Sequence, residues 1–282
     1  MDGTRLTPTS YAGQQAEYAS LRCPETFNWL LESPEYRTWR QTPPQALYFS
    51  GAPGAGKSVA ASLVIRDLEN RHRHRRPSDK ECVGIAYIFF DYLRETEQTF
   101  VNIALCIIQQ LKQRAASPQI PTLPSQSDDS QESWPAMEEP GEEIFGYLDD
   151  TIAHHSAVFI VLDALDECSV PCRMQILRAL SNIRGRHPVL HVLVTSRAGP
   201  GPSLPGWFES AAHVEIRARD SDLKLLGSAA FSVLTGCPAV PGDQASRDRL
   251  MSKIVQAARG RFVGPLLASL RNCVVLLLEN LG

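Results

Sequence analysis

Ala46-Leu-Tyr-Phe-Ser-Gly-Ala-Pro-Gly-Ala-Gly-Lys-Ser58 decides how this chain is read. A short apolar run, Ala46 to Ser50, gives way to Gly51-Ala52-Pro53-Gly54-Ala55-Gly56-Lys57-Ser58, which matches GxxxxGK[ST]; a helical pattern then runs from Lys57 to Asn70. Gly51, Gly54 and Gly56 admit backbone angles that a side chain forbids, so the loop can wrap closely around a phosphate with its N–H groups turned inward. The start of the helix adds a partial positive charge. Lys57 is expected to reach the β- and γ-phosphates, and Ser58 to offer its hydroxyl to magnesium. The alternative is a glycine-rich strand-to-helix turn with no ligand, which explains neither the lysine nor the hydroxyl.

Outward from this loop, four more short apolar runs appear: Val83 to Phe90, Val158 to Leu162, Leu190 to Thr195 and Val214 to Ile216. Helical patterns separate them, at Thr99 to Arg114, Glu142 to Ala153 and Pro171 to Ile183. Strands alternating with helices predict parallel βαβ units. The middle runs are continuously apolar, as strands covered by helices on both faces should be. Ligands of such sheets sit beyond the carboxyl ends of the strands. The run at Val158 ends in Asp163-Ala-Leu-Asp-Glu167. Asp163, the first residue past it, is expected to hold magnesium, directly or through water. Asp166 or Glu167 could polarise an attacking water. The competing reading makes this acidic run a capping series for the helix that begins near Pro171. The next strand ends in Thr195-Ser196-Arg197, where the arginine either reports on a γ-phosphate or decorates a turn.

Before the core, Cys23-Pro-Glu-Thr-Phe-Asn-Trp-Leu-Leu-Glu32 predicts a helix capped by Thr26, with Phe27, Leu30 and Leu31 on one face, and Glu35 to Arg40 a further turn. Met1 to Ser20 shows no clear period and is expected to be loose. Ala115 to Gly141 is rich in Pro, Ser, Gln, Asp and Glu and reads as a disordered insertion. The basic stretch Arg71 to Arg76 is read as a solvated loop. After Asp220 only helical patterns remain: Leu223 to Leu234, Ala245 to Ala258 and Val263 to Glu279, the first two separated by Pro238 to Gly242. The chain thus divides into a loose N-terminus (1–20), a helical lead-in (21–45), an α/β core (46–220) with its insertion (115–141), and a small helical region (221–282).

With 282 residues, 43 % hydrophobic and 21 % charged, the chain can bury a sizeable core. A formal net charge of −3 gives no basic excess, so nucleic acid is not an expected partner. The 7 cysteines are scattered without paired CxxC knuckles. Cys168 and Cys172, four apart, could meet on a helix but read as ordinary thiols. Reduced thiols, no signal-peptide pattern and no apolar run long enough to span a bilayer lead to the expectation of a cytoplasmic protein.

Gly51 to Ser58, Leu162-Asp-Ala-Leu-Asp-Glu-Cys168 and Leu193-Val-Thr-Ser-Arg197 together resemble the NACHT domain, of the STAND class of P-loop NTPases. Cys23-Pro-Glu-Thr26, Trp29, Tyr36 and Trp39, with Ile85-Ala-Tyr-Ile-Phe-Phe-Asp91 and Ile107-Ile-Gln-Gln-Leu111, are similar to the fungal NOD-like-receptor group, whose P-loop module is also described as nephrocystin-like. The Asp-x-x-Asp-Glu form is the most specific element; Ala164 stands where many other P-loop ATPases carry glutamate. The resemblance implies a five-stranded parallel P-loop NTPase sheet flanked by helices, with the strand ending at Arg197 between the P-loop strand and the acidic strand. It implies ATP and ADP as ligands with magnesium, slow hydrolysis in a signalling switch, and self-association in the ATP state. Asp220-Ser-Asp222 is similar to the family's Asp-rich entry into its helical region, and Gly260 to Leu266 to its Gly-x-Phe segment, except that Gly264-Pro265 replace large apolar residues. Full members continue into a winged helix and repeats, so by comparison this chain reads as truncated, as a fragment or as a stand-alone module.

Two other functions compete. A small-molecule kinase would need an arginine-rich lid, and no such segment follows the acidic strand. A non-catalytic nucleotide-binding interaction module would use the nucleotide only to stabilise the fold. The identity of the base is not written in the sequence.

Overall fold

The computed structural model describes residues 10–43, 45–73, 82–114, 140–197, 210–233 and 243–258. Three helices precede the core: α1 (Ala12–Leu21), α2 (Asn28–Glu32) and α3 (Pro34–Gln41). The core runs β1 (Gln45–Gly51), α4 (Lys57–His72), β2 (Val83–Phe89), α5 (Phe100–Arg114), α6 (Pro140–Ala153), β3 (Ala157–Asp163), α7 (Val170–Arg186), β4 (Leu190–Arg197) and β5 (Ala212–Glu215). Short 3₁₀ turns follow β2 (Tyr92–Arg94) and β3 (Leu165–Glu167). Two further helices, α8 (Asp220–Val233) and α9 (Gln244–Ala258), come last.

All five strands are parallel, in the order β2-β3-β4-β1-β5. The continuously apolar runs are buried as expected: Ile85, Ile88, Ile160, Leu162, Val192 and Val194 are all within 1 % of full burial. β4 lies between β1 and β3, as the resemblance implied. Gly51 pairs with Arg197 and Leu162 with Val194, so the three strand ends that carry polar residues meet on one edge.

Helix α3 anchors the opposite end of the sheet. Tyr36 and Trp39 of α3 are fully buried. The Trp39 indole N–H donates to the Val192 carbonyl at 3.1 Å, and the Tyr36 hydroxyl to Asp67 at 2.6 Å. His191 stacks on Phe159 with ring centres 4.4 Å apart and donates through Nδ1 to the Trp39 carbonyl at 2.7 Å. Burial lowers the pKa of this imidazole.

Three local expectations need correction. The loose N-terminus ends by Tyr11: α1 packs on α4, with Tyr11 and Gln15 buried and Tyr18 against Phe89 at 5.1 Å. Its buried face is two tyrosines and a glutamine at helical spacing, which carries little aliphatic signal. The Gln15 side chain donates to the Ser62 carbonyl at 3.1 Å and its main-chain carbonyl accepts from the Ser62 hydroxyl at 3.4 Å, while its Oε1 has no partner among the described residues. Thr26 does not cap α2; its hydroxyl donates to the Cys23 carbonyl at 2.7 Å, and Phe27, at φ 61°, precedes the helix instead. Of the insertion expected over 115–141, residues 115–139 lie outside the described residues, while Pro140 and Gly141 already open α6. The basic residues at 74–76, the separator at 238–242, the segment at 260–266 and the third late helix at 263–279 also lie outside them. Among the described residues no helix is long and apolar enough to cross a membrane.

Candidate functional site

The loop after β1 is built by its glycines. Gly54 and Gly56 have φ of 76° and 90°, the left-handed region that side chains disfavour. At Gly51 the constraint is space: a β-carbon would run into the Ile216 main-chain carbonyl. The Ala55 N–H closes a turn onto the Ala52 carbonyl at 3.1 Å, and α4 begins with the Ala60 N–H on the Gly56 carbonyl at 2.9 Å. The Lys57 ammonium folds back onto its own loop, donating to the Gly51 and Ala52 carbonyls at 2.9 and 3.2 Å. Burial lowers its pKa, against the opposing pull of Asp166, Asp163 and Glu167.

Asp163 sits at the end of β3 and is 1 % exposed. The Thr195 hydroxyl donates to its Oδ1 at 2.6 Å, and the Ser58 hydroxyl bonds it too. Burial raises the pKa of this carboxyl, while Ser58, Thr195 and Lys57 all favour the charged form. Thr195 also holds the turn that follows, its oxygen accepting from the Ala164 N–H at 2.9 Å. Ala164 is left-handed at φ 54°, a conformation that costs a non-glycine residue about 1–2 kcal/mol. That turn carries the chain back over the strand ends, so that Asp166 and Glu167 face β4.

There they meet Arg197. Asp166 accepts from the Arg197 main-chain N–H at 3.2 Å and pairs with Nε at 3.1 Å; Glu167 pairs with Nη2 at 3.4 Å. Arg197 is 56 % exposed, so each pair contributes no more than about 1 kcal/mol and can be exchanged cheaply. Neither acid caps α7: Ser169 holds the N-cap position and the first turn contains no acid. The structure thus brings together Lys57, Ser58, Asp163, Asp166, Glu167 and Arg197 at one edge of the sheet. What sequence reasoning missed is Thr195 as the residue that holds Asp163 and the turn after it. The signal was there, since a threonine ending a buried apolar strand needs a polar partner.

Among the described residues no group of three or more His, Cys, Asp or Glu could hold a metal by itself. A magnesium that shares its coordination with phosphate fits better. Ser58 and Asp163 are hard oxygen donors already in contact, and magnesium is commonly held by one or two protein groups plus phosphate oxygens.

Among solved structures the fold is similar to PCH-2 of C. elegans, at 15 % identity and a TM-score of 0.48, covering 98 % of this chain and 69 % of that one. A Walker-type ATPase of Pyrococcus abyssi gives 12 %, 0.48, 92 % and 77 %. The ORC1 protein of Aeropyrum pernix, solved in complex with DNA, gives 16 %, 0.44, 98 % and 63 %, so this chain spans less than two thirds of that protein. No curated protein matches the sequence. The sequence model of the nephrocystin 3 N-terminal family matches residues 25–197, more than half of the chain, from the lead-in through the P-loop to Arg197. The chain is a member of the nephrocystin 3 N-terminal family, with a P-loop NTPase fold.

Proposed function

We propose that this chain binds ATP with magnesium and hydrolyses it slowly, as a signalling switch of the NACHT type found in fungal NOD-like receptors. The observation that carries the reading is the convergence of Lys57, Ser58, Asp163, Glu167 and Arg197 on the carboxyl edge of β1, β3 and β4. The main-chain N–H groups of the Gly51 to Ser58 loop, Pro53 apart, cradle the β- and γ-phosphates. Lys57 leaves its two loop carbonyls for them. Ser58 and Asp163 hold magnesium, which supplies charge neutralisation at the phosphates. Thr195 positions Asp163.

Arg197 occupies both candidate bases. In this reading a γ-phosphate competes for the guanidinium, so Arg197 turns to phosphate and frees Glu167 or Asp166 to orient water. The helical region has a route to the same event. Asp222, at the start of α8, is 3 % exposed and accepts from the Phe27 N–H at 3.3 Å and the Trp29 indole at 3.1 Å; Arg219 lies 3.6 Å over the Trp29 ring. These contacts link the lead-in, which packs on α4, to the helices beyond residue 220. In this reading a lead-in (21–45), a core (46–220) and a helical region (221–282) act as one switch, which self-associates in the ATP state.

The same Arg197 pairs favour a second reading, a nucleotide-binding interaction module without hydrolysis, in which the acids stay neutralised. Denaturing the purified chain and chromatographing what it releases tests binding; single-turnover hydrolysis of bound ATP separates the two readings. Release of ADP together with measurable turnover supports the switch. Bound ATP that never turns over supports the module, and release of no nucleotide with no binding of added ATP overturns both.

A further inference from the structure

β5 is an edge strand: among the described residues it pairs with β1 alone, and no strand covers its outer side. The Ile216 N–H donates inward to the Ser50 carbonyl at 2.7 Å. Main-chain polar groups point to alternate sides along an extended chain, so those of Glu215 and Arg217 point outward, where no neighbouring strand receives them. The extended pattern runs past the strand itself: His213, Glu215, Arg217 and Arg219 are exposed, whereas Val214, Ile216 and Ala218 are buried. Glu215 and Arg217 therefore stand on the same face, two residues apart, and neither has an ion-pair partner among the described residues. On that face a cavity of about 570 Å³ lies between the strand and the helices α2 and α3. Trp29, Glu32 and Glu35 line it from the helices, and His213, Glu215 and Arg217 from the strand.

We infer that two copies of this chain pair through β5 as antiparallel edge strands about a two-fold axis at Ile216, with Glu215 of each copy opposite Arg217 of the partner subunit. Charges on an exposed edge ordinarily guard it against pairing. Here their order specifies a partner. An antiparallel copy centred on Ile216 brings Glu215 against Arg217 on both sides of the axis, as an isologous contact requires. Residues directly opposite in such a pair share a face of the sheet, and opposite charges there attract. Shifting the axis by one residue puts Glu215 against Glu215, or Arg217 against Arg217. Those pairs repel, so the charges fix the register. The same register lets the outward N–H and C=O groups of the two residues exchange hydrogen bonds. Arg217 of the partner subunit also arrives on the face whose cavity Glu32 and Glu35 line, which adds to the charge complementarity. The pairing uses the outer side of β5, whereas the proposed nucleotide edge is built on β1, β3 and β4, so the dimer requires neither ATP nor hydrolysis.

Charge reversal makes the test direct. The full-length chain, stripped of nucleotide, is weighed by light scattering after size exclusion over a concentration series. The parent should reach twice its monomer mass of 31.1 kDa. Glu215→Arg and Arg217→Glu each place like charges opposite one another and should remain monomeric. An equimolar mixture of the two variants should return to the dimer mass, because one then offers two bases and the other two acids at these positions. Both reversals in one chain restore opposite charges across the axis and should also dimerise. In the parent, the Glu215 and Arg217 amides should gain protection from hydrogen exchange as concentration rises. That measurement needs no variant, and unchanged exchange in a dimeric parent would place the interface elsewhere. The inference is overturned by a parent that stays monomeric throughout, by single reversals that still dimerise, or by a mixture that does not. A dimer that appears only with added ATP overturns it as well, and so does an edge that takes up a foreign extended peptide while the parent stays monomeric.

Discussion

Thr195→Val removes one oxygen and keeps the volume of a fully buried side chain, which makes it a clean perturbation of the site's support. Two bonds vanish. The Ala164 N–H, 2.9 Å from Thr195 Oγ1, loses its acceptor at a turn already in the left-handed region. Asp163 loses a 2.6 Å donor while remaining buried. An orphaned N–H costs about 1–3 kcal/mol when fully buried, so the half-buried Ala164 N–H falls at the low end, and a hydrogen bond to a charged group contributes about 1.5–3 kcal/mol. Because both share one oxygen the terms do not add fully, and a loss of about 2–4 kcal/mol is expected. For a domain of this size each kcal/mol lowers Tm by roughly 2–4 °C. Thr195→Ser keeps the hydroxyl and drops one methyl, so it should lose only about 1 kcal/mol. Urea denaturation of the three proteins without nucleotide measures this directly, with a lower midpoint and an unchanged slope expected for the valine variant. A valine variant within about 0.5 kcal/mol of the parent, roughly the accuracy of the method, would show that Thr195 does not hold this corner.

Asp163→Asn should raise the melting temperature of the nucleotide-free chain at pH 7, because burial raises the Asp163 pKa, so its contribution to stability is full below the unfolded value of 3.8 and is lost as pH rises through the folded one. The same variant should lose affinity for Mg-ATP more than for ATP in chelator, checked by isothermal titration with and without magnesium. His191 carries the opposite sign: its pKa is lowered in the fold, so the unfolded chain binds the extra proton, and its contribution to stability should be full above 6.5 and fall as pH drops below it. Urea midpoints at pH 7.5 and 5.5 should converge in His191→Gln relative to the parent. Glu167→Gln should bind ATP and fail to turn it over, since an amide cannot take a proton from water; parental single-turnover rates would pass the role to Asp166 or remove it.

The P-loop and the acidic strand end were legible in the sequence because each concentrates its chemistry in a few contiguous residues. Strand positions were legible too, since β2, β3 and β4 are buried on both faces and their apolar runs are unbroken. The strand order was not: no periodicity says that β4 lies between β1 and β3, and only the resemblance supplied it. The partnership of Asp163 with Thr195 follows from that order, because Leu162 pairs with Val194 and the next residues stand side by side. Arg197, 30 residues from Glu167, became its partner for the same reason. α1 escaped notice because Tyr11, Gln15 and Tyr18 make a buried face without aliphatics. Asp222 was read as part of an acidic entry, but its partners Phe27 and Trp29 lie 195 and 193 residues away.

The central claim is that Gly51 to Ser58 holds the phosphates of a nucleotide and that Lys57 faces them. Titrating a fluorescent ATP analogue with magnesium into the parent and into Lys57→Ala tests it most directly. The parent should bind, and loss of this cation should weaken binding at least tenfold, about 1.4 kcal/mol. Equal affinities in the two proteins, or no binding by the parent once bound nucleotide has been stripped, would contradict it.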